Sequence, residues 1–461
     1  MRVACSDIML LRSSSSSVAC VRPEQPRTGR RWRRDLVVAR GHSNNLLAVV
    51  GGGAAGYFGA IAAKSRNPDL DCLILEQAKV LEKVRISGGG RCNVTNVVSE
   101  APVLARHYPR GHKELRGAFF REFGPLDVRE WFEKRGVELK IEKDGRIFPV
   151  SDSSETVIDC LKTEAGKLGI RVHELSRVKE IACSDASFTV STKGSKGRGH
   201  EVIDDVRYLL LASGSSKEGW AMAKGMGHNV FDPRPSLFSF KCADPALQSL
   251  AGISLQKAAG VLRVGNRKFE NEGPVLITHW GLSGPLVLRL SAWAALELSE
   301  SAYSGTLYLD LLPSTSAGDL ENDLLRMKKL KNKVSQTPTS IAGVLPRRLW
   351  RYLLTTVSLD EDKLYCECKD SSIRCLAQAC KRLEIPVSGK GPFKEEFVTA
   401  GGVDLREVNM KSMESKLRPN LFFAGEVLNV DGLTGGFNFQ NAWTGGYLAG
   451  CRIAELSSMS S

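Results

Sequence analysis

The hydrophobic positions of this chain fall into short apolar runs that end in glycine-rich turns. Residues 46–50 form one such run, and the turn after it leads into a small-residue helix predicted over 57–63. A second apolar run at 72–75 ends in an acidic residue. Strand, helix and strand at this spacing are typical of a parallel βαβ unit, so the fold class is predicted to be α/β with a Rossmann-like domain.

The remaining pattern separates into strand-rich and helix-rich stretches. Residues 236–312 are rich in short strands and turns, and 314–385 are mainly helical and basic. A buried strand at 420–426, a glycine-rich turn and a helix from about Asn441 close the chain. The elements predicted before residue 232 are a helix at 155–168, alternating runs at 170–174, 177–182 and 187–192, a strand at 208–212 and a helix at 219–227.

Composition indicates a globular chain and excludes several classes of function. The 461 residues are 42% hydrophobic and 25% charged, enough to bury a large core without disulfide or metal staples. The 12 cysteines form no C-x-x-C pair, and the four at 366–380 match no common zinc spacing, so no metal site is predicted. Much of the net charge of +13 lies in the first 40 residues, which argues against nucleic-acid binding by the remainder.

The first 42 residues have the composition of an organelle transit peptide. They contain nine arginines, no lysine and the serine run 13–17, and their apolar stretch is too short for a secretory signal. We expect this segment to be disordered and to direct the protein to the chloroplast, with the mitochondrion or a plain basic tail as alternatives. The uncharged run 46–63 is long enough to suggest a membrane span, but its five glycines and its change of pattern favour strand plus helix, so no membrane span is predicted.

A dinucleotide-binding fingerprint follows the first strand. Gly51, Gly53 and Gly56 fit G-x-G-x-x-G, in which the glycines allow a tight turn, approach of a pyrophosphate and close helix packing. The helix N-terminus offers unpaired N–H groups to phosphate, and Glu76 would accept hydrogen bonds from the ribose hydroxyls. The predicted binding residues here also include Ala54, Ala55 and Gln77. The alternative is a glycine-rich loop in an ordinary α/β unit.

Three further segments carry glycine-rich turns suited to a ligand. The loop at 86–96 combines three glycines with cations that could neutralise phosphate, although a surface loop fits equally well, and its lone cysteine is more often buried than reactive. A long dinucleotide that needs both ends of the chain favours FAD over NAD. The predicted residues are Lys83 just before this loop, Ser87, Gly88, Gly89, Arg91, Cys92 and Asn93 within it, Ser213 and Gly214 after the strand at 208–212, and Gly425, Glu426, Asp431, Gly435, Gly436, Phe437 and Asn438 near the C-terminus.

These motifs resemble those of the BaiN-type FAD-binding oxidoreductases, of the flavoprotein class with two dinucleotide-binding folds. The similarity spans roughly 45–455 and is carried by 51–56, 87–96, 278–285, 398–403, 413–416 and 423–440. It implies that Glu76 contacts the adenosine ribose, that the loop at 83–96 runs beside the pyrophosphate and flavin, and that Glu426 meets the ribitol. The helix from about Asn438 would direct its positive end at the flavin N1/C2 region.

The resemblance also implies a domain organisation in which the FAD-binding domain is split in sequence. The predicted segments are a transit peptide (1–42), the N-terminal portion of the FAD-binding domain (45–232), an inserted β-barrel-like domain (233–313 with 386–398), a helical subdomain (314–385) and the C-terminal portion of the FAD-binding domain (399–461). Many related chains carry a longer Ser/Thr-Gly-rich loop after the strand at 208–212 than the four residues 213–216 found here.

The expected function is transfer of a hydride or electron pair between a small organic substrate and flavin, with NAD(P)H as a transient donor. One alternative is a flavin-dependent RNA-modifying protein that uses the basic residues 326–333, and another is a non-enzymatic dinucleotide-binding protein. His279 is a candidate base, but a structural histidine is the commoner case, so the catalytic residues stay unassigned. The sequence leaves the oligomeric state open.

Overall fold

The computed structural model of this chain describes the backbone of 37–39 and residues 45–185, 187–194, 200–338, 341, 343–392 and 398–459. Within the predicted transit peptide, only Val37–Ala39 falls among them, as a short strand that pairs in parallel with 201–203. The rest of that predicted segment lies outside the described residues. The described helices include none with the length and apolar character that crossing a membrane requires.

An eight-stranded mixed sheet forms the centre of the first unit and confirms the α/β fold class. The strand Leu46–Val50 is buried at every position and pairs in parallel with both of its neighbours, as a strand covered on both faces does. The sheet order is Arg171–His173, Asp71–Leu75, Leu46–Val50, His200–Leu211, Phe188–Gly194 and Ser176–Cys183, and both Val37–Ala39 and Leu421–Phe423 also pair in parallel with His200–Leu211.

Helices pack on this central sheet, and a three-stranded sheet packs against some of those helices. The helix Ser154–Lys167 begins and ends within one residue of the predicted helix, because its apolar positions fall at helical spacing and Ser153 caps its N-terminus. The small sheet consists of Thr95–Asn96, Arg146–Pro149 and Leu139–Ile141. The other helices are Ala54–Arg66, Glu82–Gly90, Ala101–Ala105, His112–Leu115, Ala118–Glu122, Pro125–Glu133 and Lys217–Gly225.

A second unit is built on a seven-stranded antiparallel sheet with its own hydrophobic core. The order of this sheet is Leu383–Val387, Gly305–Asp310, Ser254–Val264, Arg267–Thr278, Gly281–Ser283, Phe240–Lys241 and Gly389–Lys390. The helices Ala317–Arg326, Arg347–Thr356 and Asp370–Lys381 bury their apolar faces in the same core as these strands. The helical stretch therefore shares its core with the strand-rich stretch. Pro245–Gln248, Pro285–Trp293 and Ala295–Glu300 are further helices.

Two connections join the units. The strand Val230–Ser236 leaves the first unit and pairs antiparallel with Val398–Val403, which returns to it. The chain then forms the strand Leu421–Phe423 and the helix Phe437–Met459, which begins four residues earlier than the pattern indicates. Both ends of the described chain consequently contribute to one hydrophobic core.

The helix Ala54–Arg66 and the helix Phe437–Met459 touch through their backbones. A Cβ atom added at Gly446 would lie 2.5 Å from the carbonyl oxygen of Ala55, and one added at Gly450 would lie 2.3 Å from that of Gly59. Because only hydrogen fits at these positions, glycine sets the distance between the two helices. This contact places the C-terminal segment beside the turn at 51–56.

The substitution Gly450→Ala tests this helix contact against the exposed helical control Gly166→Ala. At Gly450 the added methyl group meets backbone, and we expect overpacking to destabilise the fold by about 1–3 kcal/mol despite the better helix propensity of alanine. At Gly166 nothing lies within 4 Å, so alanine should stabilise by about 0.4–1 kcal/mol. Urea unfolding measures the free energy of unfolding of both variants. Equal unfolding midpoints for the two variants would refute the helix contact.

Candidate functional site

The turn at 51–56 follows the strand Leu46–Val50. At two of its positions, the backbone geometry is one that only glycine permits. Gly51 has a φ of +109°, and a Cβ atom there would lie 2.4 Å from the carbonyl oxygen of Ala212. A Cβ atom at Gly56 would lie 2.0 Å from the carbonyl oxygen of Gly51. Gly53 differs, because no atom lies within 4 Å of the place where its side chain would be. The backbone at Gly53 is therefore open to a ligand.

The helix that starts here leaves its first N–H groups without side-chain partners. Gly53 is its N-cap and provides no side chain, and the first turn contains no acidic residue. The amide groups of Ala54, Ala55 and Gly56 therefore lie at the positive end of a 13-residue helix. This is the arrangement that binds a phosphate group.

Glu76 lies at the end of the neighbouring strand and faces the same turn. Its carboxylate accepts hydrogen bonds from the backbone N–H of Gly52 at 2.8 Å and of Ala78 at 2.9 Å. Together with Gln77 it lines a small cavity that reaches across to Val178 and Ser213. The hydroxyl of Ser213 is buried and has no hydrogen-bond partner among the described residues. An orphaned hydroxyl in this cavity fits a polar ligand, because unpaired buried donors are costly.

Two residues that the sequence did not single out complete this cavity. Arg177 and Glu218 form an ion pair along its edge. Gly219 also matters, since a Cβ atom there would lie 1.8 Å from the Ser213 hydroxyl oxygen. Arg177 lies on an alternating strand and Glu218 in a helix, so no local pattern distinguishes them from ordinary surface charges.

A second group of predicted residues meets where the two ends of the chain converge. The ammonium group of Lys83 lies 2.8 Å from a carboxylate oxygen of Glu426 and donates to the Ser215 hydroxyl at 2.7 Å. Gly214 has a φ of +58°. A Cβ atom added there would lie 3.9 Å from the same carboxylate, with no other atom within 4 Å. Gly425, with a φ of +76°, lies against Ala55 of the first helix. Glu426 therefore lies close to the turn at 51–56, at the start of the helix Ala54–Arg66.

The loop at 86–96 is partly helical, which differs from the expected open loop. The helix Glu82–Gly90 is interrupted at Ser87, which is extended with a ψ of 149°, and at Gly88 and Gly89, which have φ values of 57° and 70°. The left-handed conformation explains the glycines. Gly88 and Gly89 are exposed, so their backbone faces outward.

The arginines of this loop already have carboxylate partners. Arg91 pairs with Glu142 at 2.7 Å and Asp152 at 3.4 Å, and its guanidinium lies 4.0 Å from the centre of the Phe148 ring. Arg85 pairs with Glu155. The structure therefore engages these cations in ion pairs, whereas the pattern predicts that they neutralise phosphate.

Cys92 and Asn93 hold the loop in place. Cys92 is fully buried, and burial raises the pKa of its thiol to about 12. In the orientation that satisfies both of its amide atoms, Asn93 donates to the carbonyl of Thr95 at 3.0 Å and accepts from the N–H of Gly436 at 2.8 Å. Asn96 donates to the carbonyl of Gly435 at 2.9 Å. The start of the C-terminal helix is therefore hydrogen-bonded directly to residues 93–96.

Two predicted residues of the C-terminal segment have structural partners here. Asp431 is completely buried and accepts hydrogen bonds from the guanidinium of Arg110 and from the Ser236 hydroxyl at 2.6 Å. Its carboxylate is thus occupied by a buried ion pair, and a buried charge stripped of its partner would be strongly destabilising. Asn438 exchanges two hydrogen bonds with the backbone of Gly432, at 2.7 and 2.9 Å. The ring of Phe437 stacks on His107.

The remaining candidate residues lie in the second unit. His279 is exposed in the turn between two strands of the second unit. Cys366, Cys368, Cys375 and Cys380 are all free thiols. In the part of the chain that the structure describes, no group of three or more potential ligands could hold a metal ion.

The open helix N-terminus, the acidic strand end and the buried Ser213 hydroxyl define a Rossmann-type dinucleotide-binding protein. The model of the HI0933-like protein Rossmann domain matches residues 45–452. The chain belongs to this family.

Similar proteins span nearly the whole chain. The 3-dehydro-bile acid delta(4,6)-reductase of Clostridium scindens is 29% identical over 421 residues, which cover 89% of this chain and 99% of that protein. The ribosomal RNA dihydrouridine synthase of Escherichia coli is 30% identical over 402 residues, covering 86% and 94%. Among solved structures, 3-ketosteroid delta1-dehydrogenase from Sterolibacterium denitrificans in complex with 1,4-androstadiene-3,17-dione shares 12% identity, with a TM-score of 0.48 over 89% of this chain and 100% of that one.

The substitution Gly53→Ala tests whether the open backbone at this position receives a ligand. The fold tolerates the methyl group, but it would occupy the space available to a pyrophosphate. We expect unchanged thermal stability without ligand and dinucleotide affinity reduced by about tenfold or more, equivalent to about 1.4 kcal/mol. Gly117→Ala is the matched control, since Gly117 is also a helix N-cap with open space around it. If Gly53→Ala and Gly117→Ala bound FAD with the same affinity as each other, and likewise NAD, Gly53 would not be the pyrophosphate-binding position.

Cys92 should be unreactive in the folded protein. Its raised pKa keeps the thiol protonated through pH 8, whereas the exposed Cys366 and Cys375 should react with a thiol reagent. Peptide mapping after alkylation at pH 8 measures this, with urea-unfolded protein as the control in which Cys92 reacts. Alkylation of Cys92 at the rate of Cys366 in the folded state would contradict the burial.

Proposed function

We propose that this protein is an FAD-dependent oxidoreductase that reduces a carbon–carbon double bond conjugated to a carbonyl group. The proposal is carried by the approach of residues 425–426, in the C-terminal segment, to the turn at 51–56. The dinucleotide turn at 51–56 lies beside Gly425, and Lys83 pairs with Glu426 there. A ligand that begins at the first helix and continues to the C-terminal segment needs the length of FAD, which favours FAD over NAD.

Each element of the proposed site has a physical role. The N-terminus of the first helix, with Gly53, would receive the pyrophosphate, and Glu76 would accept hydrogen bonds from the adenosine ribose. Glu426 would meet the ribitol, and the positive end of the helix Phe437–Met459 would stabilise negative charge near it. Bound FAD would supply two-electron transfer, while the protein supplies binding, orientation and electrostatics.

The reaction class is supported by what two similar proteins have in common. The name of one specifies delta(4,6) reduction of a 3-dehydro-bile acid, and that of the other specifies formation of dihydrouridine. In both reactions, a double bond conjugated to a carbonyl receives a hydride at one carbon and a proton at the other. We infer that this chain performs the same reaction on a small-molecule substrate and that NAD(P)H renews the reducing equivalents.

A uracil base in RNA is a second candidate substrate, favoured by the similarity to the dihydrouridine synthase. The basic run that would serve as an RNA-binding face is largely compensated. Arg326 pairs with Asp323, Lys328 with Asp370, and Lys333 with Asp362. Because paired surface charges attract phosphate weakly, the small-molecule substrate is preferred. Salt-sensitive retention of ribosomal RNA by the purified protein would reverse this preference.

The visible spectrum of the purified full-length protein tests the proposal. We expect a bound flavin that is released as FAD on heating and bleached anaerobically by NADH or NADPH. An enone such as 2-cyclohexenone should then restore the oxidised spectrum. The variant Gly53→Ala should carry less FAD than the control Gly117→Ala. A colourless protein that stays colourless after incubation with FAD would refute the proposed function.

A further inference from the structure

Arg289 lies on the one described helix that is shared by both hydrophobic cores. In the helix Pro285–Trp293, Leu286, Val287 and Leu290 pack in the second unit, whereas Leu288, Ala292 and Trp293 pack against the first. Arg289 therefore stands at the junction of the units. It is half-buried, and its guanidinium donates a long hydrogen bond of 3.4 Å to the carbonyl of Glu272. Among the described residues, no carboxylate lies within 4.0 Å of it.

His107 approaches the same junction from the first unit. Its ring stacks on Phe437, with ring centres 4.3 Å apart and planes 7° apart, and its carbonyl accepts from the N–H of Leu433 at 2.9 Å. His107 therefore packs directly on the glycine-rich turn and on the first residue of the C-terminal helix. Burial, and secondarily the charge of Arg289, lower the pKa of His107, so its imidazole is neutral at pH 7.

Asp144 of the first unit contributes a negative charge that acts on Arg289. Burial lowers the pKa of Arg289, and the carboxylate of Asp144, in the turn of the hairpin 139–149, opposes that effect. The N–H of Val97 donates to the carbonyl of Gly145 in this turn at 2.9 Å, and the neighbouring Asn96 holds Gly435. Arg110, three residues after His107, donates to the carbonyl of Ala292 in the shared helix at 2.6 Å, so the segment that carries His107 lies against the helix that carries Arg289.

We propose that Arg289, assisted by His107, binds the oxygen conjugated to the reducible double bond of the substrate. A half-buried guanidinium with only a weak backbone partner has donors to spare, and a planar fork of N–H groups suits a carbonyl or carboxylate oxygen. The neutral imidazole of His107 provides a further polar contact without adding charge. This assignment rests on the proposed function and names the substrate's recognition group.

The reaction balances with these residues in place. A hydride bonds to the carbon remote from the carbonyl, the double bond shifts, and the electron pair moves onto the oxygen. Arg289 stabilises that negative charge, and a proton from solvent then bonds to the adjacent carbon. The electron pair comes from a reduced nicotinamide, as the proposed function requires. The product is the saturated carbonyl compound.

Binding of trans-cinnamate, a conjugated carboxylate, tests the proposal without turnover. We expect a saturable change in the flavin spectrum of the FAD-loaded full-length protein. Arg289→Ala should weaken this binding by about tenfold or more, and Arg289→Lys, which keeps the charge, should weaken it less. His107→Asn should weaken it modestly. Arg263→Ala is the control, because Arg263 lies on the second sheet over Tyr308, away from the junction. Arg289→Ala, Arg289→Lys and Arg263→Ala should hold FAD equally.

Two outcomes would overturn the assignment. One is an Arg289→Ala variant that binds trans-cinnamate as tightly as the control does. The other is a flavin spectrum that responds to neither trans-cinnamate nor 2-cyclohexenone in the unaltered protein. Failure to hold FAD at all would instead refute the proposed function. A histidine NMR titration of the FAD-free protein then still tests the junction: Arg289→Ala should raise the pKa of His107, and an unchanged value would refute the arrangement.

Discussion

The contact on which the whole arrangement depends is the approach of two helices with no side chains between them. Gly446 and Gly450 of the C-terminal helix lie directly against the backbone of Ala55 and Gly59. In a chain of 461 residues, this contact brings the last helix to the first one. The strand Leu421–Phe423 and the residues after it consequently lie beside the dinucleotide turn. The ion pair between Glu426 and Lys83 depends on this approach of the two helices.

The polar groups that the candidate site offers to a ligand are mainly backbone N–H groups at helix N-termini. Lys83, Arg85 and Arg91 are each paired with a carboxylate, so the positive potential for a phosphate comes from the helix N-terminus at Gly53. Where side-chain charge is deeply buried, it serves the fold. Arg110 and Asp431 form a buried pair that also holds Ser236, at the point where the chain crosses between the units. Arg289 is only half-buried and has a weak backbone partner, and this is why we propose it as the group that binds a substrate oxygen.

Local spacing predicted the fold class correctly, because strand, turn, helix and acid follow one another within about 30 residues of chain. The family was indicated by the resemblance of motifs spread along the chain, and the match over residues 45–452 confirms it. The helix at 154–167 and the strand at 46–50 followed from periodicity in the same way. The environment of charged residues could not be predicted, since their partners are remote in sequence. Arg91 and Glu142 are 51 residues apart, and Arg110 and Asp431 are 321 apart. Nothing in the sequence near His107 or Arg289 indicates that they face the same junction.

In the proposed complex, a single FAD is held at once by the turn at 51–56 and by residues 425–437. Hydrogen–deuterium exchange with and without added FAD tests it most directly. We expect slower exchange in peptides from 51–56 and from 425–437 together, with peptides of the helix 347–356 unchanged as an internal reference. Protection confined to the N-terminal peptides, with 425–437 exchanging as before, would contradict it.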